Sequence, residues 1–161
     1  MLTAHTCTAD KGTVMADLAA ARLPQDVVWI DLLSADPAEV AFVERATGLH
    51  VPTMVELSEI ESSSRLRSVK DALYLSTPLV YRADTGNPLT TSVGFILRSD
   101  LLITVRFDEL KAFSTFAESA AKVGAVHHSS AGAFVGSTIA AAGSSKYSLH
   151  SLVDNATRAI Q

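Results

Sequence analysis

Hydrophobic and polar residues alternate weakly over residues 2–8, which predicts an amino-terminal strand. Ala9-Asp10-Lys11-Gly12 then predicts a turn. Residues 13–23 fit two periods. Thr13-Val14-Met15 can extend a hairpin, whereas Asp17 to Arg22 is Ala-rich and can form a helical turn, and Pro24 ends either one. Val27 to Leu33 is almost wholly apolar, broken by Asp31, the pattern of a central strand covered on both faces. Asp36 is a good N-cap, Pro37 suits the first helical position and Glu39 can close a capping box, so a helix starts there. Val40, Val43 and Ala46 supply its predicted buried stripe, with the Thr47 methyl beside them, and Gly48 its left-handed stop.

Thr53 and Glu56 repeat the capping pattern for a short helix over 53–60, closed by Ser62-Ser63-Ser64. Residues 65–69 and 72–81 read as two strands joined by a tight Lys70-Asp71 turn, and Pro78 places its surroundings at an edge or bulge. Residues 83–88, Ala-Asp-Thr-Gly-Asn-Pro, are a surface loop. Residues 93–97 and 101–107 form the clearest hairpin, around Arg98-Ser99-Asp100. Asp108 then caps a last helix running to about Val123, with Leu110, Phe113, Phe116, Ala117 and Ala120 on its buried face and Gly124 at its end. Strands and helices do not alternate strictly, so the fold class is α/β with a mixed sheet of six or seven strands.

Composition narrows the function. With 161 residues, 48% hydrophobic and 19% charged, the chain is one globular domain with a sizeable core. The net charge of −4 and the scatter of the 13 basic residues argue against nucleic acid as a partner. Arg65, Arg67 and Lys70 alternate with Leu66 and Val69, as on the polar face of a strand. The single cysteine, Cys7, excludes an internal disulfide and reads as a small buried side chain in the first strand. No secretory signal is visible at the start. The most apolar stretch, residues 131–143, is too short for a membrane span of about 20 residues, so the chain by itself is expected to be soluble.

Several of these pieces in combination carry a resemblance. They are Trp29-Ile30-Asp31-Leu32 before the helix opened by Asp36-Pro37, then Ile60-Glu61 followed by Ser64-Arg65-Leu66. Tyr74-Leu75, Leu79-Val80-Tyr81 and Leu102-Ile103-Thr104-Val105-Arg106 complete the set. Over residues 1–132 the chain resembles the amino-terminal cytoplasmic domain of CorA-type divalent cation transporters, including the zinc-transporting ZntB branch. The resemblance implies an α/β/α sandwich around a mixed sheet. It also implies a complete protein on the cytoplasmic face of the membrane, in which a stalk helix and two membrane spans follow and five copies form a funnel around a pore. The function implied is that of a regulatory domain that senses or gates, with no enzyme activity, no required cofactor and no transport by this part alone. Weak Mg2+ or Zn2+ binding between subunits goes with it, and this part without its pore is expected to be a monomer or weak dimer. The alternative is a stand-alone soluble α/β binding or regulatory domain.

Three departures from that family stand out. The Gly-Met-Asn signature of the pore entrance is absent. Residues 133–161 form a second segment, poor in charge and rich in Gly and Ser, where the family continues as a charged stalk helix. In some relatives an acidic residue after the strand at 72–81 helps to form a metal site between subunits; the register puts Arg82 there, and Asp84 is the substitute candidate, a turn aspartate otherwise.

Other candidate chemistry is thin. The five histidines, His5, His50, His127, His128 and His150, have no metal-motif spacing, and the adjacent His127 and His128 diverge on a helix. Coordination with His50 or across subunits is the functional alternative to a surface pair. Glu39, Glu44, Glu56, Glu59 and Glu61 read first as capping and solvated helix faces, and second as an acidic surface that concentrates divalent cations. There is no Gly-x-Ser-x-Gly elbow, and Gly132 to Thr138 lacks the lysine and the spacing of a phosphate loop. Trp29 is read as core.

Overall fold

The structure is a computed structural model of the chain and describes residues 1–6, 12–59, 65–82 and 86–122. Among these residues, seven strands and three helices follow in the order β1 (Leu2–Thr6), β2 (Thr13–Val14), β3 (Val27–Leu33), α1 (Pro37–Thr47), α2 (Met54–Glu59), β4 (Leu66–Val69), β5 (Ala72–Tyr81), β6 (Leu89–Leu97), β7 (Leu102–Arg106) and α3 (Lys111–Lys122). The strands form one sheet in the order β2-β1-β3-β7-β6-β5-β4. Only the β3–β7 pair is parallel; every other neighbour is antiparallel. The predicted mixed α/β class is therefore what the chain adopts.

Side chains of a strand alternate between faces, and the core divides accordingly. Ile30, Leu32, Ile96, Ile103 and Val105 pack on one face with Phe42 and Val43 of α1 and Leu57 of α2. Trp29, Val93, Phe95 and Leu102 pack on the other with Leu110 and with Phe113 of α3. Helices thus lie on both sides of the sheet. The apolar run of β3 is explained by its place between β1 and β7, which leaves residues 29–32 buried on both faces.

Helix α1 starts as its sequence requires. Asp36 accepts from the N–H groups of Ala38 and Glu39, Glu39 accepts from the N–H of Asp36, and Gly48 closes the helix at φ 71°. Its buried side differs from the predicted stripe: Glu39, Phe42 and Val43 are buried, and Ala46 is exposed. The helix axis is turned so that Phe42 enters the core, and Val40 is half-buried. Glu39 tolerates burial because the N–H of Asp36 and the Met1 ammonium both bond to Oε2.

Strand β5 contains Pro78, yet lies between β4 and β6. The N–H of Ser76 bonds to the carbonyl of Arg65, so the nitrogen of Pro78, two residues on, lies on the β4 side of the strand. The register of β4 ends at Leu75, so Pro78 removes a donor where β4 offers no partner. Asp108 does not cap α3, contrary to expectation. Its carboxylate accepts from the Tyr81 hydroxyl at 3.0 Å, and the helix begins at Lys111. The expected end of that helix at Gly124, and the whole segment 133–161, lie outside the described residues. The side chains of Phe116 and Ala120, both expected on its buried face, lie outside the description too.

Candidate functional site: two clusters of paired charge

Charged side chains pair in a buried cluster and in an exposed one. The first is buried in the middle of the sheet. Asp31 of β3 and Arg106 of β7 stand on one face of neighbouring parallel strands, where Asp31 is in register with Thr104. Arg106 Nη2 lies 2.7 Å from Asp31 Oδ2, and its Nε lies 3.1 Å from Oδ1. The Thr104 hydroxyl donates to Asp31 Oδ1 at 2.7 Å and accepts from Trp29 Nε1 at 3.0 Å. Arg106 Nη1 reaches the carbonyl of Asp108 at 3.1 Å, and the guanidinium sits 4.8 Å from the centre of the Phe113 ring. A single arginine therefore links β3 and β7 to the start of α3. Among the described residues, no buried side-chain nitrogen or oxygen lacks a hydrogen-bond partner.

His5 stacks on Trp29 from β1, with ring centroids 4.0 Å apart. Burial holds its imidazole below the usual histidine value, and the nearby Asp31 carboxylate partly opposes this. Trp29 is core, as expected. On the far edge of this face, the Asp108 carboxylate raises the Tyr81 phenol above its ordinary value by accepting its proton in a hydrogen bond.

The second cluster is exposed and lies where α1, its connector and α2 meet. His50 Nδ1 lies 2.8 Å from Glu44 Oε1, and Nε2 lies 3.1 Å from Glu56 Oε1. Glu44 Oε1 also accepts from the N–H of Val51 at 2.9 Å. Glu56 Oε2 accepts from the N–H and the hydroxyl of Thr53, completing the predicted capping arrangement of α2. Opposite the end of α1, Arg98 pairs with Asp100 at 2.6 Å and donates to the Thr47 carbonyl, which ties the β6–β7 turn to the helix end.

The predicted acidic residues are thus divided. Glu39 is buried at the start of α1, Glu44 and Glu56 meet on His50, Glu59 is exposed and Glu61 lies outside the description. Among the described residues, no group of three or more His, Cys, Asp or Glu is arranged to hold a metal ion. The two carboxylates on His50 approach opposite nitrogens of the ring, so one ion cannot meet all three. Asp84, the candidate metal ligand, lies outside the described residues, as do Cys7, His127, His128 and His150. Arg82 lies near the Tyr81 ring, 5.7 Å from its centre. No helix among the described residues is long and apolar enough to cross a membrane.

The ion pair at Asp31 was not anticipated from sequence. The signal was there: an aspartate inside a strand covered on both faces must meet a countercharge, and Arg106 ends β7, whose five residues are all buried. The bridging role of His50 carried no such signal, because its two partners lie six residues away on either side.

The architecture defines the class, an α/β domain with helices on both sides of a mixed sheet, its described polar clusters tying elements together. The particular family follows from the sequence. The profile of the CorA-like Mg2+ transporter protein family matches residues 24–137, and the chain belongs to that family. The magnesium transport protein CorA of Wolinella succinogenes is 34% identical over 92 residues, covering 55% of this chain and 29% of that protein. That of Campylobacter jejuni strain RM1221 is 33% identical over 110 residues, covering 63% and 32%. The chain therefore spans about a third or less of the length of these relatives. Among solved structures, the soluble domain of CorA from Methanocaldococcus jannaschii superposes with a TM-score of 0.61 at 15% identity, over 88% of this chain and 55% of that one. The ZntB cytoplasmic domain from Vibrio parahaemolyticus gives 0.56 at 15% identity, over 88% and 57%. These likenesses establish the shared fold.

Proposed function

We propose that this chain is the regulatory cytoplasmic domain of a CorA/ZntB-like divalent cation transporter, and that in the complete protein it senses or gates rather than transports or catalyses. The observation that carries this reading is the family match over residues 24–137, which takes in β3 through α3. The superposition on CorA and ZntB soluble domains supports it. In the complete protein five such domains form a ring below a pore, on the cytoplasmic face of the membrane. Cations held between neighbouring domains offset the repulsion of a chain that carries a net charge of −4. Asp84 is the residue proposed to face such a cation. Loss of the cations loosens the ring and shifts it towards the open state. Without its pore the domain is a monomer or weak dimer and requires no cofactor.

Calorimetry and sedimentation of the chain with Mg2+ and with Zn2+ test this. Binding in about the 10⁻⁴ M class is expected, accompanied by cation-promoted association that Asp84→Asn weakens. A tight stoichiometric site in the monomer contradicts the reading. So does ion flux through the complete protein that does not respond to cytoplasmic Mg2+ or Zn2+.

A further inference from the structure

One imidazole between two carboxylates raises a question of proton supply. A neutral imidazole has one N–H and one bare nitrogen, so it can donate to one acceptor only. Both nitrogens of His50 face carboxylate oxygens, at 2.8 and 3.1 Å, and a carboxylate has no proton to give back. Both contacts are hydrogen bonds only while the ring is doubly protonated. We infer that Glu44, His50 and Glu56 form a proton-operated clasp that pins α2 to the end of α1, closed while His50 is charged and released when it loses its proton.

The surroundings decide which arm releases. The Nδ1 contact to Glu44 is the shorter, 2.8 Å against 3.1 Å, so the neutral ring keeps its remaining proton on Nδ1, towards Glu44. Nε2 is then bare against Glu56, and α2 is the element that comes away. Among the described residues, few other contacts restrain it. This six-residue helix buries one side chain, Leu57, and accepts one bond to its backbone from the β5 strand, Ser76 Oγ to the Leu57 carbonyl at 3.0 Å. Leu57 fits closely: a β-carbon at Gly94 of β6 would come within 3.0 Å of it. Beneath it lies a concavity lined by Pro52, Leu57, Tyr74 and Ser76, with Arg65 and Arg67 at its margin. Release of α2 uncovers this apolar floor.

The other titratable and charged groups nearby belong to the β4–β5 hairpin. The His50 backbone and Glu44 act on the Tyr74 phenol, Arg67 lies 5.5 Å over the Tyr74 ring, and Asp71 acts on the same tyrosine from the turn. The protonation of the clasp itself agrees with the geometry. The bond to Glu56, first, and that to Glu44 hold the His50 imidazole above its ordinary value of 6.5. The Thr53 N–H, then its hydroxyl, then His50 lower Glu56 from 4.5 to about 2. A raised histidine value contributes stability fully present below 6.5 and lost as the pH rises through the folded-state value. The depressed Glu56 value contributes stability present above 4.5 and lost as the pH falls through about 2. The clasp is complete between these limits and opens as the pH rises through the raised His50 value.

Hydrogen exchange of the 161-residue chain, corrected for intrinsic rates, tests this alongside a ring titration of His50 by NMR. Between about pH 6 and about pH 9, amides of residues 53–59 are expected to exchange on the order of threefold faster, the scale of losing half-exposed ion pairs. His50→Gln removes the step and leaves fast exchange at both values. His50→Lys keeps slow exchange at the higher pH, because an ammonium of ordinary pKa about 10.4 remains charged there. The same step in His50→Gln, or a His50 ring that titrates at or below the ordinary histidine value, overturns the clasp.

Discussion

Carboxylate and cation pair in this domain both out of water, at Asp31 and Arg106, and in it, at His50. The side chains of Arg106 and Asp31 are 9% and 7% exposed; those of His50, Glu44 and Glu56 are 55%, 37% and 47% exposed. Burial sets what each can do. Inside the sheet, each charge depends on the other for solvation, and Thr104, Trp29 and the Asp108 carbonyl complete the shell. At the surface, water can replace either partner, so the pair contributes little and is easily undone. An arginine suits the first role, with a planar fork that meets both oxygens of Asp31. A histidine suits the second, because its charge changes near neutral pH. The buried pair fixes where α3 leaves the sheet; the exposed one sets how firmly α2 lies on it.

Replacing Arg106 by Met tests the buried side and has the largest expected effect. Asp31 is left charged in the core without a partner, which costs about 3–5 kcal/mol. Urea unfolding measures it. Adding Asp31→Leu to Arg106→Met removes the orphaned charge and is expected to recover much of the loss. A cost for Arg106→Met within about 1 kcal/mol, the range of exposed pairs, would erase the contrast between the two clusters.

Thr104→Val is milder and sharper. It keeps the shape and removes the hydroxyl shared by Trp29 and Asp31, so two buried groups each lose a partner, at about 1–3 kcal/mol. Trp29 is the only tryptophan, so its fluorescence reports the change directly. Asp36→Ala should cost about 1 kcal/mol, because it deletes the cap of α1 and leaves the Ala38 and Glu39 N–H groups to water.

Much of this architecture was legible in the chain. The Asp36-Pro37-Ala38-Glu39 start and the Gly48 stop bound α1 correctly because capping is local chemistry, satisfied within a few residues. The run at 27–33 and the span at 72–81 matched their strands because their residue patterns are also local signals. What was misread depends on distant contacts. Phe42, not Ala46, faces the core, because the sheet and α2 set the rotation of α1. β6 starts at Leu89, four residues before its apolar part, since its first half pairs with β5 as far as Tyr81. Asp108 looked like a cap and instead meets Tyr81, 27 residues away. The candidate site was less legible still. Asp31 and Arg106 are 75 residues apart and become neighbours only through the parallel β3–β7 pairing.

The smallest expected effect separates the clusters most cleanly. At about pH 6, His50→Gln should cost about 0.2–1 kcal/mol, since it removes two exposed ion pairs whose net value is limited by water and side-chain entropy. The cost should shrink towards zero at about pH 9, where the wild-type ring has lost the proton that made both contacts attractive. Salt near 1 M, which cuts the screening length to about 3 Å, should diminish it at the lower pH as well. The Arg106→Met deficit should survive that salt, because ions do not enter the core between β3 and β7. Urea titrations of the two variants and the parent at two salt concentrations measure all of this. A His50→Gln cost that ignores both pH and salt would mean that His50 acts by packing, and the exposed cluster would then be no different in kind from the buried one.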